Sequence, residues 1–489
     1  MFYNAGHMTA SRSPLSALLR LLFPAALSLL AATGSAFCQA PADPGAAERL
    51  KDLFLDGQVE EAQAGALKHL QDHPEDVEAR IVLANCYYKR ATDLQAAEGE
   101  AAPSSRETPG ALFKLSSDEL REALRLAPDR KDIWLGLCKV ERQANNVPSL
   151  LQCAADAAAR FPGDDTFAVD LAQSAAPYVQ RREFVTAESL LEAIARHNDG
   201  SFDILLSLGR TQYFAGKRDR GIATTDRALE LRPDDNEALF QRGELAAYEG
   251  DFARAATYFQ KVVDKAPASG RANLALATCL HTSDRAAAVR VLRHLANISQ
   301  RPKPDSQVMR ILAANAELAA ILSSPNLQPL DVLRAARIMA ALDIYAGALA
   351  ELSVALRMDG SLADAHALRA QIFSAHLGQH DRALGSLQEA LAAMESAPDH
   401  LCGSTREEIL TAMAGEQSSL GRYEDALATL SKLPDAGPYL FQIAMANHHL
   451  GRYAEARKLL RQLLDGGGAD QELEEARRLL ASPEYKNLR

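Results

Sequence analysis

Two pairs of histidines have the spacing that comes closest to a site for chemistry. His376 and His380 are four residues apart, a spacing that can place two imidazoles on one face of a helix and so bind a metal ion. Gly378 lies between them at a predicted turn, so we do not expect the two rings to point the same way. His448 and His449 are adjacent and would point in different directions. We interpret all four histidines as polar surface residues.

Catalytic motifs with a fixed spacing are missing from the sequence. It contains no GxSxG, no GxxxxGK[ST], no HExxH and no DxDxDG pattern. Carboxylates are frequent, but they fall on helix faces that should be solvated, and no spacing singles out a general acid and base. The sequence therefore predicts no catalytic residue, no metal site, no cofactor and a protein that is not an enzyme. The alternative is an enzyme or an enzyme-accessory protein with an unrecognised pocket near residues 302–328.

The elements that would position any site recur along the chain with a period of 34 residues. The landmarks with this spacing are Leu205 and Leu239, Gly209 and Gly243, Gly216 and Gly250, and Pro233 and Pro267. A repeat at such a period indicates an array of small units, each of which buries its apolar face against its neighbours. We therefore do not expect one closed core to serve the 489 residues.

The segment DNEALFQRGELAAYEGDFARAATYFQKVVDKAP shows how one unit is built. Gly243 lies at helical spacing from the apolar residues around it and is small enough for a second helix to approach closely. Gly250 is placed to end the first helix, where a residue that tolerates a positive φ is favoured. Ala255 and Phe259 repeat the helical spacing on the second helix, with Ala255 expected against Gly243 and Phe259 beside it. Pro267 ends the second helix.

These residues resemble the tetratricopeptide repeat family. Its pattern of a large apolar residue, Leu, Gly or Ala, an aromatic, Gly, Ala and Pro is met in Leu205–Pro233 and Leu239–Pro267. It is also met in LGQHDRALGSLQEAL (377–391), LGRYEDALATLSKLP (420–434) and LGRYAEARKLLRQLL (450–464). The resemblance implies an all-α fold, a right-handed α-solenoid of about eleven helix–turn–helix repeats. It also implies that the first helices of the hairpins line a groove for peptides, and that the chain acts as an exported, bacterial-type repeat protein.

The remaining units are less regular, and they define the expected organisation of the chain. Residues 302–328 contain one apolar helix that pairs with no obvious partner, so one reading is a break between two arrays. The expected segments are a signal peptide (1–40), an N-terminal array (41–301) with an exposed insertion loop near 91–113, the irregular segment (302–328), a C-terminal array (329–468), and a capping helix and tail (469–489).

The N-terminus has the pattern of a secretory signal. Residues 1–42 contain no Asp or Glu, and Arg12 and Arg20 precede the apolar run LLFPAALSLLAA. That run is too short to span a bilayer comfortably, and small residues follow it. We expect export to the periplasm or the exterior, with cleavage after Ala36 or Ala40. The alternatives are an uncleaved membrane anchor and a lipoprotein acylated at Cys38.

Five cysteines follow this segment, and they form no CxxC pair. The simplest interpretation is that most of them are small buried residues between helices. Cys138 and Cys153 fall on the two predicted helices of one hairpin, so a disulfide between them is sterically reasonable. The sequence assigns no pairing.

Charge and spacing together predict the kind of partner. A net charge of −11 leaves no excess of Lys or Arg to neutralise phosphates, so we expect no nucleic-acid partner. We expect instead a protein or peptide partner and a non-enzymatic interaction scaffold of the cell envelope. The mature chain is expected to have no transmembrane span, and any association with the membrane would be made through an envelope complex. The candidate groove residues share the inner face of two first helices, and they are Arg210, Tyr213, Phe214, Phe240, Glu244 and Tyr248.

Two roles remain open for the tyrosines of this groove. As binding residues, Tyr213 and Tyr248 would be exposed, and changing both to alanine would abolish partner capture with little change in melting temperature. As packing residues, they would wedge adjacent repeats together, and the same change would cost much stability.

Overall fold

The computed structural model describes residues 45–97, 108–298, 306–396 and 403–486. Within these ranges, all regular secondary structure is helical. Contacts between Cα atoms divide the chain into unit 1, which ends at Pro128, and unit 2, which begins at Asp129. The expected signal peptide lies outside the described residues. None of the described helices combines the length and the apolar character that a membrane span requires.

Unit 1 consists of two helical hairpins among its described residues. Its helices are α1 (Ala46–Leu55), α2 (Val59–Asp72), α3 (Val77–Ala97) and α4 (Pro109–Leu126). The first two pack as one hairpin and the last two as the other, and α3 also contacts α1 and α2.

The insertion expected near 91–113 is shorter than the sequence suggested. Residues 91–97 continue α3, because the stretch ATDLQAA consists largely of helix-compatible residues. At the other end, the Thr108 side chain accepts a hydrogen bond from the backbone N–H of Ala111, and Pro109 begins α4. The expectation of a loop over the whole of 91–113 is therefore wrong at both ends, and its centre, 98–107, lies outside the described residues.

Unit 2 continues the same architecture with nine hairpins in its described residues. In chain order, its helices begin with α5 (Lys131–Gln143), α6 (Val147–Arg160), α7 (Asp165–Ala172), α8 (Ala176–Gln180), α9 (Phe184–Ala195), α10 (Phe202–Phe214), α11 (Arg218–Leu231), α12 (Asn236–Tyr248), α13 (Phe252–Lys265), α14 (Gly270–His281) and α15 (Arg285–Ile298). They are followed by α16 (Ser306–Ser323), α17 (Pro329–Ala341), α18 (Tyr345–Met358), α19 (Ala363–Gln371), α20 (His380–Ser396), α21 (Arg406–Ser419), α22 (Tyr423–Leu430), α23 (Leu440–His449), α24 (Tyr453–Gly466), α25 (Asp470–Leu480) and α26 (Pro483–Lys486).

The hairpins of unit 2 pair consecutive helices, with α7 and α8 together forming the first arm of one hairpin. Helix α16 stands between two hairpins and packs against both α15 and α17, so the described part of 302–328 is in contact with the elements on either side. With the two hairpins of unit 1, the described residues form eleven, and the all-α, helix–turn–helix repeat fold expected from the sequence is confirmed. Helix α25 packs against α24 at the end of the array.

Most turns inside the described hairpins contain a residue with a positive φ, and the turn between α14 and α15 is an exception. Gly216 and Gly250 take φ values of 86° and 85° at the ends of α10 and α12, as the sequence predicts. In the hairpin of α17 and α18, Asp343 takes the same role with φ 59°, which explains how LDIYAGA replaces the usual turn. Asp and Asn tolerate this conformation better than other residues with a Cβ.

Close packing at Gly243 differs in detail from the expectation. A Cβ atom built on Gly243 would lie 2.6 Å from Cε1 of Phe259, and its three nearest neighbours are all atoms of that ring. The Phe259 ring, and not the methyl group of Ala255, therefore fills the space that the missing side chain leaves. Ala255 is fully buried nearby.

The sulfur atoms of Cys138 and Cys153 lie 2.8 Å apart on α5 and α6, and both side chains are buried. This places the two cysteines face to face within one hairpin, as the sequence predicts. A disulfide between them would require little movement of either helix.

Unit 2 also contains contacts between hairpins that are far apart in the sequence. Helix α18 packs against α12 and α14, although α15, α16 and α17 lie between them along the chain. At this contact, Nδ1 of His281 lies 2.8 Å from Oε2 of Glu351, and both side chains are buried. Burial raises the pKa of Glu351, and the hydrogen bond with His281 only partly opposes this. Oε1 of Glu351 has no hydrogen-bond partner among the described residues.

The buried His281–Glu351 pair predicts that the stability of the fold depends on pH. A carboxyl whose pKa is raised in the folded state stabilises the fold below the ordinary glutamate pKa, and that contribution is lost as the pH rises through the raised value. Glu351→Gln keeps an acceptor for His281 and cannot ionise. We expect the variant and the parent to melt together near pH 4, and the variant to be more stable near pH 8 by about 1–3 kcal/mol. Thermal melts followed by circular dichroism across this pH range measure the difference.

Glu424→Gln is the control for this experiment, because the Glu424 side chain is 65% exposed and lies 3.7 Å from Arg452. An exposed pair of this kind contributes little to stability, so its loss should not produce the same pH dependence. A Glu351→Gln variant that is less stable than the parent near pH 8 would contradict the interpretation.

Candidate functional site

The six groove residues expected from the sequence lie on α10 and α12, but they differ in exposure. Four of them are buried, and these are Tyr213, Phe240, Glu244 and Tyr248. Arg210 is exposed and Phe214 is half-buried. Burial favours the packing role that the sequence left open for Tyr213 and Tyr248, and partner binding stays a prediction that now depends on Arg210 and Phe214.

The chain itself covers the two tyrosines. The Tyr213 hydroxyl donates a hydrogen bond to Oε1 of Glu249 (2.6 Å) and accepts one from Nε2 of Gln379 (3.1 Å). Arg382 donates to the backbone oxygen of Tyr248 at 2.6 Å. Gln379 and Arg382 belong to the turn before α20 and to α20 itself, so a C-terminal hairpin folds back onto the first helices of the preceding repeats. We call this the fold-back contact.

A cavity of about 620 Å³ remains open beside the fold-back contact. Arg210 and Phe214 of α10 and Arg271 of α14 form part of its lining. A second part of the lining comes from distant parts of the chain. It includes Asp343 and Tyr345 at the start of α18 and His376 in the π-helical turn Ile372–His376. We call this space the fold-back cavity.

Aromatic rings give the fold-back cavity its apolar surface. The rings of Phe184 and Phe214 stack with centroids 5.3 Å apart. The Tyr345 ring, also in the lining, stacks on the imidazole of His376 with centroids 4.0 Å apart and an angle of 21° between the planes. Stacked aromatic rings of this kind give the lining a large apolar surface.

Positive charge predominates in the lining of the fold-back cavity. It contains three arginines, Arg182, Arg210 and Arg271, and a single acidic residue, Asp343. Asp343 already accepts a hydrogen bond from the Tyr345 hydroxyl at 2.5 Å. The excess of guanidinium groups stands in contrast to the net charge of −11 for the whole chain.

The three guanidinium groups differ in the hydrogen bonds and ion pairs that they already form. Arg271 donates to Oε1 of Glu244 at 2.8 Å and lies over the Phe240 ring. Arg182 donates to the backbone oxygen of His376 at 3.4 Å. Arg210 makes no ion pair or hydrogen bond with another side chain in the described part of the protein, and its guanidinium lies 5.9 Å from the centroid of the Phe214 ring.

The pKa shifts of two neighbouring groups, His376 and Glu244, affect the charge around the fold-back cavity. Burial lowers the pKa of His376, and the nearby Arg182 lowers it further, so the imidazole is neutral at pH 7. Burial also raises the pKa of the Glu244 carboxyl, although Arg271 and Arg210 oppose this. Glu244 pairs with Arg271, so the excess positive charge of the lining comes from Arg182 and Arg210.

The histidine pairs do not come together as a metal site. His376 stacks on Tyr345, whereas Nδ1 of His380 lies 2.7 Å from Oε2 of Glu416. His448 is half-buried, and its Nδ1 lies 2.8 Å from the hydroxyl of Tyr485. His376 and His448 are therefore packing residues in part, which corrects the interpretation of both as surface residues. Among the residues that the structure describes, no group of three or more His, Cys, Asp or Glu side chains could hold a metal ion.

The segment in which an enzyme pocket was considered contains a packed helix in its described part. In α16, Asn315 donates to the backbone oxygen of Leu292, and Glu317 pairs with Arg334 of α17. These polar contacts connect α16 to α15 and α17. Sequence reasoning placed the possible pocket here because α16 had no partner, and it missed the fold-back cavity because the two parts of its lining are distant in the sequence.

The comparisons with known proteins agree with the repeats seen in the structure. A family model described as "Tetratricopeptide repeat" matches residues 206–269, 240–293 and 412–471. A search of curated proteins finds no match to the chain.

Several solved structures are similar to the chain over parts of its length. The Naa15/Naa10 complex bound to HypK-THB shares 16% identity over 90% of this chain and 76% of that chain, with a TM-score of 0.36. YrrB, described as a tetratricopeptide repeat protein with an unusual peptide-binding site, shares 15% identity over 46% of this chain and 87% of its own, with a TM-score of 0.24. A thermophilic tetratricopeptide repeat protein of Thermus thermophilus shares 20% identity over 40% of this chain and 98% of its own, with a TM-score of 0.25.

The matched ranges cover most of the hairpins from α10 to α15 and of those from α21 to α24. In these hairpins the structure shows the paired helices of the repeat pattern, and all of their turns except the one between α14 and α15 contain a glycine with a positive φ. The chain therefore contains tetratricopeptide repeats within residues 206–293 and 412–471.

Proposed function

We propose that this protein is a non-enzymatic interaction scaffold of the cell envelope, which binds a segment of a partner protein in the fold-back cavity. Repeats of this family generally mediate protein–protein interactions. The observation that carries the proposal is the fold-back cavity itself, a preformed space of about 620 Å³. It combines stacked aromatic rings with an arginine, Arg210, that forms no ion pair within the described residues. Aromatic and arginine side chains are the types that most often dominate the energy of protein interfaces.

Affinity capture from an envelope extract tests this function. The full chain would be immobilised as the parent, as the Arg210→Ala/Phe214→Ala variant and as the Arg254→Ala control. Arg254 is an exposed residue of α13 outside the lining of the cavity, so its loss removes a surface arginine without changing the site. We expect mass spectrometry to find a protein that the parent and the control retain and the double variant loses. Equal retention by all three chains would overturn the proposed site.

The envelope location rests on the N-terminal pattern of residues 1–42. Fractionation of cells that express the full chain tests it, together with the intact mass of the recovered protein. We expect recovery outside the cytoplasm with a mass that corresponds to cleavage after Ala36 or Ala40. A full-length mass in the cytoplasmic fraction would contradict export and leave the binding site unaffected.

A further inference from the structure

We propose that the fold-back cavity selects an acidic peptide segment, one that carries carboxylate side chains next to aromatic ones. This inference rests on the proposed function and adds the chemistry of the partner. The lining places three guanidinium groups against one carboxylate, that of Asp343, which the Tyr345 hydroxyl already engages. Such a lining attracts negative charge, although the rest of the chain repels it.

Arg210 is the anchor of the site. Arg271 is already paired with Glu244, and Arg182 is hydrogen-bonded to a backbone oxygen, whereas the Arg210 guanidinium retains its donors. A guanidinium can bind a carboxylate through two parallel hydrogen bonds, which gives orientation as well as attraction.

The rings of the cavity set the second requirement on the ligand. Phe184 and Phe214 form one stacked pair in the lining, and Tyr345 with His376 forms another. An aromatic or large apolar side chain next to the bound carboxylate would pack against these rings. The volume of about 620 Å³ is within the usual range for ligand pockets, and it is large enough for a short stretch of peptide.

The two parts of the lining belong to repeats that are distant in the sequence, so the site exists only when the fold-back contact is formed. The arginines come from the repeats before α15, and Tyr345 and His376 come from those after α16. A bound segment would contact both parts at once. The site therefore differs from a groove formed by consecutive first helices alone.

Fluorescence anisotropy tests the proposal with a labelled peptide of alternating glutamate and phenylalanine. The matched probe has glutamine in place of every glutamate, and inorganic phosphate is the competing anion. We expect the full chain to bind the acidic peptide more tightly than the glutamine peptide, and added salt to weaken that binding. Arg210→Ala should reduce the affinity by about ten- to a hundredfold, and Arg254→Ala should leave it unchanged.

Three results would overturn the inference: equal binding of the two peptides, unchanged binding by Arg210→Ala, or displacement by phosphate as effectively as by unlabelled peptide. The capture experiment, repeated with Arg210→Ala and Phe214→Ala as single variants, separates this failure from that of the proposed function. If a captured partner depends on Phe214→Ala but not on Arg210→Ala, the cavity is a binding site whose ligand is not selected by its carboxylates. If no partner depends on either residue while the acidic peptide still binds, the site exists and the proposed scaffold role is wrong.

Discussion

Changing both Tyr213 and Tyr248 to alanine is expected to destabilise unit 2 severely. Tyr213 is fully buried and Tyr248 is 3% exposed, with their ring centroids 6.0 Å apart. Removal of a large buried aromatic ring typically costs about 3–5 kcal/mol, because the transfer energy is lost and a cavity remains. The two rings are in contact, so the combined cost need not equal the sum of the single changes. Chemical denaturation of both single variants and the double variant measures these values.

Tyr213→Phe is the matched control, since it keeps the ring and removes only the hydroxyl. It leaves Glu249 and Gln379 without the hydrogen bonds that join them through Tyr213. We expect this smaller change to cost about 1–2 kcal/mol. If the double alanine variant melts within a degree or two of the parent, the rings are not packing residues and the fold-back contact does not form in solution.

The expected loss of stability is the opposite of what the groove hypothesis predicts, which is little change in melting temperature. The repeat pattern predicts that Tyr213 and Tyr248 lie on the inner face of α10 and α12, because that prediction depends only on helical spacing within a repeat. It could not show that α20 and the turn before it cover this face. The contact between Gln379 and Tyr213 joins residues 166 positions apart, and nothing in the period of the repeat encodes a pairing at that distance.

The same limit explains which parts of the candidate site were missed. Arg210 and Phe214 could be predicted, since they lie on the first helix of a regular repeat. Arg182 and Tyr345 lie at irregular turns, and each becomes relevant only because the fold-back contact places it in one lining with the other residues. Asp343 gave one local signal, an acidic residue at a turn where glycine is usual, but this indicates backbone conformation and not a binding site.

Local features of the fold were easier to predict, because short-range sterics determine them. Glycines that end first helices were recognised as positive-φ residues from their place in the repeat, and Gly216 is an example. The partner of Gly243 was harder, since both Ala255 and Phe259 face it at helical spacing. The choice between them depends on the exact distance and angle between α12 and α13, which the sequence pattern does not specify.

Gly221→Ala is expected to have the second-largest effect on stability, although it adds a single methyl group. A Cβ atom on Gly221 would lie 2.6 Å from the backbone oxygen of Gly209 and 2.6 Å from the backbone nitrogen of Tyr213. Both neighbours are backbone atoms of α10, so neither can rotate away, and α11 must move instead. We expect a loss of about 1–3 kcal/mol or more, because overpacking at a helix contact shifts the backbone. Thermal and chemical denaturation of the full chain measure it.

Gly415→Ala is the matched control, since Gly415 lies within α21 and a Cβ atom there would have no neighbour within 4 Å. At such a position alanine restricts the unfolded chain and favours the helix, so we expect a gain of about 0.5–1 kcal/mol. The two substitutions are chemically identical and should have opposite signs. This difference would attribute the effect to the close approach of α10 and α11, whereas a loss of similar size at both positions would attribute it to some general response of the repeats to the added methyl group.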